Sequence, residues 1–239
     1  MDSCVCAALA ARDYDAYALH CGYGQRTEER ELRAAREVAD ALGFKDFLHL
    51  RLDLFRRIGG SALTDDRIAV PHAPDAAQIG AEIPVTYVPF RNAHFLSAAV
   101  SWAEVLGARA VFIGAVEQDS SGYPDCRPAY YEAFQKLVEA GTKEGDIRIH
   151  TPLIHLQKKE IVALGLELGA PLELTWSCYS GSEAACGVCE SCVLRLRAFE
   201  QAGVRDRIRY VSQQDAGADF LEHAAVRSNR AAVRSNREE

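Results

Sequence analysis

Apolar positions along this chain switch repeatedly between a helical and an extended period, and the switches divide it into elements. After Met1, Asp2 and Ser3 comes CVCAALAAR, an apolar run at helical density with Asp2 and Ser3 as first-turn or capping residues. Tyr14 to Cys21 reads as a strand. Leu32, Ala35, Val38, Ala39 and Leu42 then form a helical stripe that Thr27 can cap and Gly43 can end. Phe47 to Leu54 alternates, with Leu48, Leu50, Leu52 and Leu54 on one face, as a strand would. Arg56 to Pro89 is irregular and rich in glycine and proline, the pattern of a functional flap. Beyond it the chain predicts a helix over Phe90 to Leu106, a short buried strand over Ala108 to Val116 and a helix over Pro128 to Gly141. A strand over Arg148 to Ile154 and a helix over Gln157 to Leu168 follow. Strand and helix alternate, so the fold class is α/β, a parallel sheet with helices on both faces. The expected organisation is an α/β domain over residues 1–170, a cysteine-rich segment over 171–210 and a flexible tail over 211–239. In that tail AAVRSNR occurs twice, at Ala224 to Arg230 and Ala231 to Arg237, without an apolar stripe.

Composition narrows the function. The chain has 239 residues and a formal net charge of -7, with 49% hydrophobic and 26% charged residues. That suits one enzyme-sized core and disfavours a long polyanion as direct partner, because such a partner requires a basic surface. No run approaches the ~18 apolar residues of a membrane span.

The strongest local signal is C-x7-C-x2-C-x2-C, formed by Cys178, Cys186, Cys189 and Cys192. Four thiolates at tetrahedral corners suit Zn2+, and short C-x2-C turns deliver two sulfurs to one ion. The alternatives are structural disulfides or unrelated buried thiols. Half of the eight cysteines fall in this one cluster, which fits a reducing cytoplasm. A closed four-sulfur site has no open position for water, so its expected task is structural: fixing a segment that covers an active-site mouth.

Other loops carry candidate chemistry. Glu117 to Pro128 carries Asp119, Tyr123, Asp125 and Arg127, and Pro124 and Pro128 present Asp125 and Arg127 in a fixed geometry suited to a flat polar ring or a carboxylate. Its bland reading is a rigid turn with an internal Asp125 to Arg127 pair. Arg91 can meet an anion at the start of its helix and Asn92 can cap it. Gly22 to Arg26 is a glycine-flanked loop able to approach a nucleotide. Lys158 and Lys159 open a helix where one could reach a phosphate, although two solvated lysines are the commoner arrangement. The seven histidines form no metal-ligand spacing and read as structural.

These stretches resemble the 7-cyano-7-deazaguanine synthase family. The matching pieces are YGQR at Tyr23 to Arg26, IGGSALTDD at Ile58 to Asp66, VPFRN at Val88 to Asn92, SGYPDCRP at Ser121 to Pro128 and TPLIHL at Thr151 to Leu156. TWSCY with the CGVCESC knot completes the set, and all run in family order. The resemblance implies a PP-loop ATPase with a Rossmann-like adenine-nucleotide hydrolase fold. Its reaction would be an ATP-dependent ligation turning 7-carboxy-7-deazaguanine and ammonia into the 7-cyano compound of queuosine biosynthesis. It implies ATP, Mg2+ and Zn2+ as cofactors, a homodimer, and neither nucleic acid nor membrane as partner. By the same resemblance Asp2 and Ser3 are catalytic, while Met1, Asp2, Ser3, Gln25 and Arg26 bind the cofactor. Arg91, Asn92, Asp119, Tyr123, Asp125 and Arg127 bind the substrate, and the four cysteines bind zinc. The family's phosphate loop reads Ser-Gly-Gly-x-Asp-Ser after a short apolar strand, and this sequence starts at the x. The expectation is a missing first strand with translation beginning upstream; the competing one is a shortened, inactive, zinc-stabilised binding protein. Another PP-loop ATPase that modifies tRNA is a third reading.

Overall fold

The helical stripes form the helices they predict. A computed structural model of the chain describes residues 1–72, 83–117 and 123–211. Its helices are α1 (Asp2–Asp13), α2 (Glu28–Ala41), α3 (Leu54–Ile58), α4 (Arg91–Leu106), α5 (Pro128–Gly141), α6 (Lys158–Glu167) and α7 (Glu190–Gln201). The strands are β1 (Ala18–Gly22), β2 (Phe47–Arg51), β3 (Ala110–Phe112) and β4 (Arg148–His150). Asp119 and the AAVRSNR repeat lie outside the described residues.

The expected parallel pairing is present, but in two pieces. β1 pairs with β2 from Ala18 opposite Phe47 to Gly22 opposite Arg51, and β3 pairs with β4 from Ala110 opposite Arg148 to Phe112 opposite His150. Among the described residues no strand joins the two pairs. A cavity of about 870 Å³ lies between them instead, lined by Ala18 to Cys21 of β1 and by Ala110 to Phe112 of β3. α1, α2 and α4 close it with Ala7, Val38, Ala99 and Trp102.

Two cores flank this cavity. In one, Val5 of α1, Ile161 and Val162 of α6, Leu153, Leu172 and Phe199 of α7 are buried together. Gly165 sits on α6 because a Cβ there would come within 2.9 Å of Val5 Cγ2. In the other, Leu96 and Val100 of α4 and Phe134 and Val138 of α5 cover Val111 and Ile147.

Three local expectations are corrected. The apolar run Ala108 to Val116 pairs only over Ala110–Phe112; Ala115 and Val116 are buried against the two cores, so apolarity there marks burial and not pairing. α3 forms inside the stretch read as irregular. Thr27 precedes α2 without capping it, its hydroxyl donating to Glu31 Oε1 at 2.6 Å and to the Cys178 carbonyl at 3.3 Å.

His20 and His49 face each other across the β1–β2 pair, ring centroids 5.7 Å apart, and both Nε2 atoms are buried without a hydrogen-bond partner. Burial, with lesser contributions from His49 and Arg36, pushes His20 down to about 4. Because the unfolded chain takes up that proton first, stability is full above pH ~6.5 and falls as the pH drops toward 4, by up to about 3 kcal/mol. Urea melts at pH 7.5 and 5 should show this loss in the wild type. His20→Phe should flatten it; an equal loss in that variant would assign the effect elsewhere.

Candidate active site

Four sulfurs converge where the spacing predicts. Cys178, Cys186, Cys189 and Cys192 place their Sγ atoms within 4.8 Å of one another, and the Cys186 to Cys192 separation is 3.9 Å. Zn–S bonds of about 2.3 Å at tetrahedral angles set the sulfurs about 3.8 Å apart, so the donor set fits the ion. The backbone supports thiolates: the N–H groups of Ser180, Gly181 and Cys186 donate to Cys178 Sγ at 3.4, 3.1 and 3.3 Å. Cys189 N–H donates to Cys186 Sγ at 3.3 Å. The remaining cysteines differ in kind. Burial pushes the Cys4, Cys21 and Cys126 thiols up to about 11 and Cys6 to about 12, which leaves them unreactive.

The knot carries Tyr179 into a second feature, an aromatic chamber. Tyr179 packs against the cluster of Tyr23, Phe55, Leu63 and Val88. Arg91 enters the same place from the start of α4, its guanidinium 5.1 Å from the Tyr23 ring centroid and 5.5 Å from that of Phe95. Arg91 Nη1 donates to Tyr23 Oη at 3.0 Å, while Nε is buried with no hydrogen-bond partner. Phe90, just before it, adopts φ 58°, the left-handed region, and is exposed. A non-glycine residue held there is strained, and the turn aims Arg91 inward. Tyr123 hydrogen-bonds Thr86 Oγ1 at 3.0 Å and lies 5.5 Å, centroid to centroid, from Tyr87. Burial pushes Tyr23 up to about 12 and raises Tyr123 and Tyr179 as well, so their hydroxyls remain protonated donors.

The third feature is the start of α1. Gly114, just beyond β3, lies against it so closely that a Cβ would come within 2.8 Å of Ser3 Cα. Asp2 Oδ2 accepts from Lys158 Nζ at 2.7 Å, and Asp2 Oδ1 is buried without a partner. Burial alone would raise Asp2; Lys158, the amino terminus and Arg195 hold it below the usual carboxylate range. Met1, Ser3, Tyr23, Arg91 and Trp176 line the cavity between the strand pairs, so the helix start, the chamber and the segment leading into the knot share a wall.

The other residues singled out from sequence have mainly internal partners. Gln25 Oε1 accepts from Tyr23 N–H at 2.8 Å and its Nε2 donates to Glu31 at 3.0 Å. Arg26 donates to the carbonyls of Ala62, Asp65 and Ile68, clamping the segment after α3. Asn92 and Asp125 hold each other: Asn92 N–H donates to Asp125 Oδ2 at 3.1 Å and Asn92 Nδ2 to the Asp125 carbonyl at 2.9 Å. Asp125 therefore braces the start of α4 in place of the Arg127 pair expected of a rigid turn; Arg127 is exposed before α5. Sequence reasoning missed Trp176, Tyr179 and Thr86. Trp176 Nε1 is a further buried donor without a partner, and only its place beside Cys178 could have flagged it.

Parallel strand pairs flanked by helices, with a four-cysteine cluster able to hold a metal ion, define an α/β protein with a candidate structural metal centre. The family model described as "Queuosine biosynthesis protein QueC" matches residues 1–203, and the chain belongs to that family. It is 77% identical over 211 residues to 7-cyano-7-deazaguanine synthase of Acidobacterium capsulatum, covering 88% of this chain and 92% of the relative. The protein of that name from Koribacter versatilis is 64% identical over 213 residues, 88% of this chain and 89% of the relative. That from Chlorobium phaeobacteroides is 54% identical over 217 residues, 90% and 95% respectively.

Metal analysis of the purified chain should find one zinc per molecule. Cys192→Ser should reduce it below a tenth and lower Tm by roughly 10 °C or more, since the binding energy of a structural ion is folding energy. Retention of full stability after chelation would exclude a structural ion.

Proposed function

We propose that the chain is an ATP-dependent carbon–nitrogen ligase that converts 7-carboxy-7-deazaguanine and ammonia into 7-cyano-7-deazaguanine for queuosine biosynthesis. Identity of 77% and 64% with synthases of that name across 88% of the chain carries the reading. The geometry supports it. Arg91 is a half-buried cation whose buried Nε–H lacks an acceptor, set among aromatic rings: surroundings that suit a planar heterocycle with a carboxylate. Arg91 and Tyr123 bind the substrate in this reading, together with Asp119, Asn92, Asp125 and Arg127. Asn92 and Asp125 act by bracing the start of α4.

ATP is needed because a carboxylate is a poor electrophile and hydroxide a poor leaving group. Nucleotide activation lets ammonia attack the carbonyl, and the amide oxygen must be activated once more before it leaves as the nitrile forms. Met1, Asp2 and Ser3 would hold the phosphates at the start of α1, where backbone N–H groups point outward, with Gln25 and Arg26 shaping the adjoining loop. Asp2, with its unpartnered Oδ1, fits Mg2+, which neutralises phosphate charge when bound. Zinc would fix the knot and with it Tyr179 and Trp176. The reading places the enzyme in the cytoplasm, where thiols stay reduced. It also includes a homodimer, for which exposed Ile58, Val85 and Phe90 offer apolar surface.

The cavity between β1 and β3 belongs to the same reading. Two parallel strand edges facing one apolar slot form the seat of a central strand, which would end in the Ser-Gly-Gly turn ahead of Asp2 and Ser3. Fusing an apolar five-residue strand and Ser-Gly-Gly before Met1 should raise Tm by roughly 10 °C and tighten ATP binding. An unchanged Tm would show that the slot is not a strand seat.

Incubated with ATP, Mg2+, ammonium and 7-carboxy-7-deazaguanine, the extended chain should form the nitrile, detected by mass; failure would sink the ligase reading. Arg91→Met should raise KM for the carboxylate substrate about 10–100-fold, the value of a charged hydrogen bond, and leave KM for ATP unchanged. An ATP defect of the same size would move Arg91 out of the substrate pocket.

A further inference from the structure

Three acidic side chains open α2, and they are placed differently. Glu29 is exposed, and Glu28 pairs with Arg51 at 3.4 Å while accepting the Gly24 N–H at 2.7 Å. Both lie where the helix dipole favours negative charge. Glu31 faces inward instead, onto the cavity wall beside Tyr23, Arg91 and Trp176. Burial pushes its carboxyl up, against hydrogen bonds from Thr27 and Gln25 that favour the charged form. The dipole, already met by Glu28 and Glu29, gives no reason to place a charge there.

The carboxylate is held as a binding group is held. Thr27 Oγ1 donates to Oε1 at 2.6 Å and Gln25 Nε2 to Oε2 at 3.0 Å. Thr27 Oγ1 also reaches the Cys178 carbonyl, and Gln25 Oε1 accepts from Tyr23 N–H, so the carboxylate is tied to the knot and to the chamber at once. A carboxylate can accept about four hydrogen bonds, and these two donors leave part of that capacity on the cavity wall.

Its position along the strands matters as well. β1 and β2 run in parallel toward Gly22 and Arg51, and α2 starts after the end of β1, so Glu31 stands past the carboxyl ends of the strands. Ligands of open parallel sheets bind there. The same wall carries Arg91 Nε and Trp176 Nε1, two buried donors without acceptors. An occupant that satisfies all three groups brings acceptors for the two donors and N–H donors for the carboxylate. A 2-aminopyrimidinone ring bearing a carboxylate does this, because its N1–H and 2-amino group point the same way and match the two oxygens of a carboxylate.

We infer that Glu31 is a specificity-determining residue: its carboxylate accepts the ring N1–H and 2-amino hydrogens of the substrate, while Arg91 meets the substrate's carboxylate. This rests on the ligase reading for the identity of the substrate and adds to it a residue of α2.

Calorimetric titration should compare 7-carboxy-7-deazaguanine with the analogue that lacks the 2-amino group, 7-carboxy-7-deazahypoxanthine. The wild-type chain should bind the first about 10–100-fold more tightly, the range of a charge-assisted hydrogen bond. Glu31→Gln turns an amide N–H toward the 2-amino group, so the preference should shrink to less than about 3-fold, chiefly through weaker binding of the 2-amino compound. A loop that had only lost its brace would weaken both compounds alike and keep the preference, and that result would overturn the inference. So would a wild type that binds the two compounds equally, even if it makes the nitrile. A Glu31-dependent preference in a chain that makes no nitrile would uphold the inference while sinking the ligase reading. A wild-type chain that binds neither compound would overturn both.

Discussion

The arrangement of the site depends on one buried arginine. Arg195 of α7 is 2% exposed, and its Nε and Nη2 donate to Asp206 at 2.6 and 3.0 Å. Nη1 donates to Thr175 Oγ1 at 2.6 Å and Nη2 also to the Leu172 carbonyl at 3.1 Å. Tyr210 Oη donates to Asp206 Oδ2 at 2.7 Å, the oxygen that also accepts from Arg195 Nε. Such a network gains little net free energy over an apolar core, because two charges have left water. Its effect is geometric. The segment from Leu172 to Ser177 is held to α7 at several points, and α7 begins in the cysteine knot. Trp176 and Tyr179 are thereby fixed from both sides, one lining the cavity and the other packed in the aromatic chamber.

Helices were legible because burial of one face writes its period into the sequence, as Leu32 to Leu42 does for α2 and Tyr131, Phe134 and Val138 do for α5. Strand limits were less so. In a parallel sheet both faces are covered, so apolar runs continue past the last paired residue: Ile113 to Val116 are as apolar as Ala110 to Phe112 yet serve the cores on either side. The division into two strand pairs is a property of the strand set, and no single stretch of sequence encodes it.

The site divides in the same way. The knot was readable because its ligands come from one short stretch with a spacing set by turn geometry. The pairing of Lys158 with Asp2 was not, because the two lie 156 positions apart; the sequence marks only that Lys158 or Lys159 could reach a phosphate. Asp125 and Arg127 looked like partners on spacing alone. The prolines at 124 and 128 hold the two in fixed but diverging directions, and Asp125 finds a better donor in the amide that opens α4.

The chain's acidity bears on the surface, not on the site. A net charge of -7 describes groups that are mostly exposed and screened by salt beyond about 10 Å. The cavity wall has the opposite character. On it Arg91 Nε and Trp176 Nε1 are buried donors without acceptors; outside its lining, Lys158 is paired with Asp2, whose Oδ1 is an unpartnered acceptor. Buried donors lacking acceptors are costly in a ligand-free protein, so their persistence within one cavity is intelligible when the occupant brings the acceptors. A carboxylate is one such acceptor-rich group, suited to the guanidinium of Arg91.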